Sequence, residues 1–494
     1  MNTDPTRIPV IIGVGQFNDR ECVHDALGLM VAALEKADED AGGGWIAKLD
    51  SIAVVNQISF PKLGNCAEHL AQHFGLTPKI VEQTPNPTGE SPVQLLNEAA
   101  NRIGAGEISV AAILGAEALR TAAERARAAT GEKKDALRAV ATGGAKSLMQ
   151  QHGLIAPTDL YPLYENATRA AWGQSLAEAQ AESGVIWAGM SAVAAANENA
   201  WIRKPQTAEA ITSIEADNRP IAFPYQKRMV ANSSVNQGAG FIVTSLAVAR
   251  AAGVAEANII HVGMGAAAHE THNMLKRDQY VQPAGMVVTI EETLKRNSLT
   301  AADLDHVELY SCFPCVPKMA RRILGWPVDK PITAFGGLTF GGGPIGNYMS
   351  HAIASMVDTL RAERGKAMLF ANGGYATHFH GIVLSAEPLP EATFPHDYDV
   401  NPLAEAKRGA VPAADEDYEG PATIESYTVF YNRDGSVKFG TIIARTSADA
   451  RVLARVDAAD EGMIAFLTDG KVEPVGASGQ TARGEDGLIH WRAG

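Results

Sequence analysis

Cysteine is scarce: the 494 residues hold four, Cys22, Cys66, Cys312 and Cys315. That excludes a disulfide framework and suits a reducing compartment. No apolar run reaches the length that crosses a bilayer, and the opening "MNTDPTRIPVIIGVG" lacks the charged-then-apolar pattern of a secretory leader. Positive charge is in deficit. Lys and Arg number 42 against 56 Asp and Glu, for a net charge of −14. This argues against nucleic acid or an anionic membrane as the main partner, and leaves only a local basic patch to bind phosphates. A third glycine is missing from "GVGQFN" near Gly13, so no dinucleotide loop forms there and NAD is not expected. The expectation is a soluble cytoplasmic protein.

The chain is long enough for two or three domains, and 46 % hydrophobic residues with 20 % charged ones can bury a large core. Short apolar strands alternate with alanine-rich helical patterns, which reads as α/β. "PVIIGVG" is a buried first strand and "HDALGLMVAALEKADED" the helix after it. The chain then repeats itself. "KLDSIAVVNQ" and "DLDHVELYSC" share the pattern Leu-Asp-x-(Ile/Val)-x-(Val/Leu), and Leu304 follows Leu49 by 255 residues. The same spacing relates "AAILGAE" to "KAMLFAN", which points to duplication.

That spacing also pairs "TGESPVQLLNEAANRI" with "GGPIGNYMSHAIASMV", each a Gly/Pro turn opening into a helix. Ser91 is expected as N-cap, with Pro92 at the first helical position and Gln94 closing an S-x-x-Q capping box. Two such helix N-termini aimed at one cleft would suit a thioester oxygen or an enolate.

The stretch "ELYSCFPCVPK" sets two cysteines three positions apart. A redox pair opens a helix, and Pro317 is expected to begin the helix "VPKMARRILG". Zinc needs two more ligands, and Cys22 and Cys66 have no matching spacing, so no metal is expected. Small, buried packing is the reading favoured for Cys312.

Duplicated halves, an inserted segment and paired helix N-termini resemble the thiolase superfamily over about residues 7–385. "YSCFP", "GGLTFGGGPIGNY" and "NGGYATH" are similar to the thiolase-like proteins of type 1 and the sterol-carrier-protein-2 (SCP2) thiolase branch. The resemblance implies a thiolase fold: two βαβαβαββ halves in five αβαβα layers, an inserted loop domain and a small OB-like β domain. The expected boundaries are 1–119 for the first half, completed by about 237–250; 120–236 for the insertion; 251–385 for the second half; 386–423 for a linker or wrapping segment; and 424–494 for the β domain, where "ESYTVFYNRDGSVKFGTIIARTS" reads as a hairpin.

Four catalytic signatures of that superfamily are altered. Gly89 stands at the nucleophilic cysteine, Tyr310 at the oxyanion-loop Asn or His, Gly343 at the histidine base and Ala371 at the second cysteine. Without a thiolate at 89 no acyl-enzyme forms there, and glycine at 343 removes the imidazole that would activate it. An acetyl-CoA acetyltransferase of the usual Cys/His/Cys kind is not expected.

Other groups come in on the same loops: Tyr310, Tyr348, His351, His378, His380 and Asn372. A tyrosine of lowered pKa could serve as general acid/base. His378 and His380 are expected to alternate, one of the pair facing the cleft. Resemblance to the steroid side-chain aldolases, which work without the cysteine, implies retro-aldol or Claisen-type chemistry on an acyl-CoA. The alternative is a non-catalytic carrier of CoA, acyl-CoA or lipid. "ANSSVNQGAG" matches the "N-A-S" stretch of thiolases, so Ser234 would flank the pantetheine arm, with Lys227 and Arg228, and also Arg203 and Lys204, near the CoA phosphates. The resemblance implies a homodimer, or a monomer if the added domain covers the dimer face.

Overall fold

A computed structural model describes residues 4–130 and 147–493. Residues 131–146 of the inserted segment lie outside the described residues. The repeat seen in the sequence becomes a structural repeat. Strands Ser51–Val54 and His306–Leu309 begin 255 residues apart, and strands Val110–Ala118 and Lys366–Gly373 nearly so. In the first half, Ile80–Gln83, Ser51–Val54, Val110–Ala118, Asn236–Ser245 and Pro9–Asn18 lie side by side in that order. In the second, His306–Leu309, Lys366–Gly373 and His378–Ser385 follow one another, with Ile260–Val262 and Ala266–His269 beside the last. The halves join where Val10 pairs with His261 and Ile11 with Ile260, making one ten-stranded sheet.

Helices Ser91–Ala105 and Tyr348–Glu363 lie between the two halves of the sheet and touch each other. Helix Ala26–Asp40 covers the outer face of the first half, where its Leu29, Met30, Ala33, Leu34 and Ala37 are buried. These positions recur at helical spacing, so one stripe is apolar and packs on the sheet. Helix Ala284–Arg296 covers the second half in the same way. The fold is the five-layer α/β arrangement that the resemblance implies.

The C-terminal strands form a separate sheet. Gly420–Tyr431 pairs with both Val437–Thr446 and Ser478–Arg483. Arg451–Asp457 and Ile489–Ala493 close the ring into a five-stranded barrel. The turn between the first two strands carries Gly435 at φ +87°, a backbone that favours glycine. The inserted segment lends this sheet a hairpin, Pro220–Ala222 and Tyr225–Gln226, held to Gly420–Tyr431 by the Phe430 and Ala222 pair. Residues 394–400 cross back over the first half: Asn101 exchanges hydrogen bonds of 2.9 Å with the backbone of His396, and Tyr398 donates at 3.0 Å to Glu98.

Two local expectations are corrected. Helix Ser91–Ala105 has Glu90, not Ser91, at its N-cap position, and no side chain caps it. The Ser91 hydroxyl turns back to Thr88, 2.9 Å from its Oγ1, and Gln94 donates to Glu98, so the capping box does not form. The helix expected to begin at Pro317 begins at Cys315. Pro317 is tolerated there because first-turn N–H groups have no intrahelical acceptor.

Candidate active site

Four loops converge at the N-terminus of helix Ser91–Ala105. They carry Gly89 and Glu90, Tyr310 to Cys312, the glycine-rich run Gly336 to Gly343, and Asn372 with Gly373. Residues 231–232 tie the second and third of these by backbone bonds: Ala231 N–H to the Cys312 carbonyl (3.0 Å), Asn232 N–H to that of Leu338 (3.0 Å), and Gly343 N–H to that of Asn232 (2.8 Å). The first of the glycines opens a single π-helical turn, Gly337–Gly341, a feature frequent at functional sites.

Tyr310 and Gly89 are complementary in shape. A β-carbon on residue 89 would clash with the Tyr310 hydroxyl and the Asn372 carbonyl, and would lie 2.6 Å from the Tyr310 Cζ. The phenol ring therefore fills the space a side chain at 89 would need. The ring stacks edge-on against Tyr348, centroids 5.6 Å apart. Burial, then the Cys312 thiol and Glu90, push the Tyr310 hydroxyl well above its ordinary pKa. The lowered tyrosine pKa expected from the sequence is thus overturned. Burial in an apolar site disfavours the phenolate, so Tyr310 can donate a hydrogen bond but not take a proton at neutral pH.

The other proposed side chains divide into two groups. Tyr348 is fully buried and donates at 2.7 Å to Glu308, which also accepts from Thr333 and from Ala334 N–H. His351 is fully buried, its Nδ1 2.8 Å from Gln16 and its ring stacked on Phe335. Burial drives its pKa down to about 3, so it is neutral. Both look inward. Asn372 lies at the site: its Nδ2 donates at 2.8 Å to Tyr161, and its buried Oδ1 has no protein partner. His378 lies on a cleft of about 490 Å³ lined by Glu90, His380, Tyr398 and Asp399 among others.

His380 lines the same cleft as His378, which corrects the expectation that one of them would face away. Residues two apart on a strand share a face; neighbours alternate. Burial lowers His378 to about 4 and His380 to about 3. Glu90 and Tyr398 were missed. Glu90 is 8 % exposed, and burial raises its carboxyl to about 7. Its Oε1 accepts from Thr88 at 2.8 Å, while Oε2 lies over Gly373 so closely that a β-carbon there would clash with it. A carboxylate between Gly and Ser-Pro at a helix start was the available signal. Tyr398 gave none, because its contact with the cleft arises from chain crossing far along the sequence.

The residues matched to CoA by resemblance are on the surface or already paired. Ser234 and Lys227 are exposed. Arg228 binds Asp217 at 2.7 Å, Glu215 at 3.2 Å and the Ala210 carbonyl at 2.7 Å. Arg203 and Lys204 are exposed. Cys312 and Cys315 are buried, and burial raises the Cys312 thiol to about 12 and that of Cys315 well above its ordinary value. Both stay protonated, which fits packing. Among the described residues no three His, Cys, Asp or Glu side chains are grouped to hold a metal, and no helix is long and apolar enough to cross a membrane.

A family model described as the thiolase-like protein type 1 additional C-terminal domain matches residues 403–486. The whole chain is similar to a monomeric SCP2-thiolase like protein type 1 from Mycobacterium smegmatis. The two are 29 % identical, 99 % of each chain is covered, and the TM-score is 0.84. Human mitochondrial 3-ketoacyl-CoA thiolase, solved in complex with CoA, is similar in fold: 15 % identity, 78 % of this chain and 99 % of that one, TM-score 0.59. So is the Ltp2-ChsH2(DUF35) aldolase, at 17 % identity, 77 % of this chain and 98 % of that one, TM-score 0.59. No curated protein sequence matches the chain. From its duplicated halves to its added barrel, the chain has the thiolase fold and is similar throughout to an SCP2-thiolase-like protein type 1, whose additional C-terminal domain it carries at residues 403–486.

Proposed function

We propose that the protein acts on acyl-CoA thioesters by making or breaking a carbon–carbon bond without an acyl-enzyme. The observation that carries this reading is the Tyr310 ring in the space beside Gly89. With no thiol at 89, acyl transfer to the chain has no acceptor. A protonated phenol at the same point is a hydrogen-bond donor for a thioester or enolate oxygen, in a site where burial strengthens such bonds. The neighbouring Glu90, near half-ionised at neutral pH, is the group suited to move a proton. CoA would reach this point past Ser234, with Lys227, Arg203 and Lys204 as exposed cations for its phosphates. Similarity to a CoA-bound thiolase and to an aldolase supports the substrate and reaction class. The M. smegmatis relative is monomeric, and we extend that state, with a cytoplasmic location, to this protein.

The test is turnover of CoA esters by the wild type and Tyr310→Phe. Loss of one acid/base or oxyanion group lowers the rate at least ~10²-fold. An unchanged rate removes the phenol from the mechanism. A second reading is a binding protein, and one observation favours it: His351, His378 and His380 are all held neutral by burial. It expects thermal stabilisation by acyl-CoA with no turnover.

A further inference from the structure

The acidic chain carries a local excess of positive charge that no carboxylate answers. The Arg20 guanidinium lies 3.9 Å from the centroid of the Trp201 ring, and that of Arg120 lies 5.6 Å from the same centroid. Arg203 follows Trp201 by two residues. Arg20 and Arg203 are exposed and Arg120 half-buried. Among the described residues none of the three makes an ion pair. The crowding is felt at Arg20: burial, then the charges of Arg120 and Arg203, lower its pKa. Like charges brought together disfavour their own charged forms, and an anion between them removes that penalty.

The cluster is fixed in place and adjoins the candidate site. Arg20 donates to the Trp201 carbonyl at 2.8 Å and to that of Ala200 at 3.1 Å. Its neighbour Asp19 cannot neutralise it, because that carboxylate is taken up by the N–H groups of Glu21, Val23 and His24 and by the His24 ring. Trp201 N–H donates to the Gly341 carbonyl at 2.9 Å and Ile202 N–H to that of Phe340 at 2.7 Å, so the indole rides on the glycine-rich run. On the other side, Asp19 N–H donates to the Asn236 carbonyl at 3.0 Å and Arg120 N–H to that of Val235 at 3.4 Å. Val235 is the residue after Ser234.

Three unpaired guanidinium groups select a multiply charged ligand. Arginine forks match the oxygens of carboxylate and phosphate alike, but a phosphate monoester or diphosphate brings more charge and more acceptors than a single carboxylate. We propose that Arg20, Arg120 and Arg203 form a phosphate-binding site at the rim of the candidate active site, taking the phosphates of a nucleotide. That nucleotide is either the one within CoA or a separate one. The first source rests on the acyl-CoA reading, to which the cluster adds Arg20 and Arg120.

The experiment is calorimetric titration of the full chain with ADP, adenosine and CoA. The wild type should bind ADP at least ~10-fold more tightly than adenosine, less so as salt is raised. Arg203→Gln and Arg20→Gln should each weaken ADP binding ~10-fold, the scale of one charge-assisted hydrogen bond, while Lys276→Gln, which removes an exposed charge elsewhere, should not. The Arg203 side chain makes no hydrogen bond within the described chain, so its loss is not a folding effect. Competition between ADP and CoA assigns the site to CoA, and simultaneous binding assigns it to a separate nucleotide. A wild type that binds ADP no better than adenosine overturns the proposal. So does an Arg203→Gln chain that keeps its ADP affinity, whatever it does with CoA. ADP binding that depends on the arginines, with no CoA ester bound, would uphold the cluster and refute the CoA reading.

Discussion

The Tyr310 ring occupies the volume that a side chain on Gly89 would require, with its Cζ 2.6 Å from the position of a β-carbon there. A side chain cannot be restored at 89 without displacing the Tyr310 ring and the Asn372 carbonyl. Gly89→Cys over-packs the site and should cost about 1–3 kcal/mol. Adding Tyr310→Ala should recover the part of that loss due to the ring and leave the part due to the Asn372 carbonyl, giving a non-additive double-mutant cycle in denaturant unfolding. Additive effects would mean the two positions do not compete for space.

Glu90 makes stability depend on pH in a stated direction. Its folded pKa, about 7, lies above the ordinary 4.5, so the folded chain holds a proton that the unfolded chain has released. Its contribution is present below pH 4.5 and is lost as pH rises through 7. Glu90→Gln removes that dependence. The variant's melting temperature relative to wild type should therefore climb between those limits. A gap that is flat or narrows with pH would contradict the buried environment.

Lys318 and Glu165 form a buried pair at 2.6 Å, with Lys318 also donating to the Ala179 carbonyl and Tyr225 to Glu165. It joins the helix after the Tyr310 loop to the inserted segment. Lys318→Met alone should destabilise by about 3–5 kcal/mol, because the glutamate is left buried without its cation. Lys318→Met with Glu165→Leu should be far milder. Equal losses for single and double variants would show that the ion pair is not what matters there.

The thiols offer a test of packing. Cys66, Cys312 and Cys315 are buried, and Cys22 is partly exposed. In the native protein an aromatic disulfide reagent should titrate about one thiol quickly, and the other three only on unfolding. Fast modification of Cys312 or Cys315 would reopen a redox role.

Strand and helix order was legible because the repeat is written in apolar periodicity, which local chemistry fixes. Gly89 opposite Tyr310 was half legible: the sequence displayed both substitutions, but not that one fills the gap left by the other. Glu90 was passed over because Ser91 and Pro92 beside it read fully as capping residues, and the cap then failed to form. His378 and His380 were noticed as a pair but misjudged by a period. Tyr348 and His351 drew attention as reactive types, yet their hydrogen bonds to Glu308 and Gln16 turn them inward, and burial of that kind is set by tertiary packing.

The hairpin Pro220–Gln226 gives the barrel a consequence for dissection of the chain. Asn166 donates to the Tyr427 carbonyl, the Ser426 hydroxyl to that of Leu163 and the Thr441 hydroxyl to that of His152. A fragment ending before Gly420 would leave these acceptors and donors bare, and would present a short unpaired strand edge to other molecules. The added barrel is thus no detachable passenger: the two-fold body and its appendage share their hydrogen bonds, and losing the tail should be felt as insolubility before it is felt as lost activity.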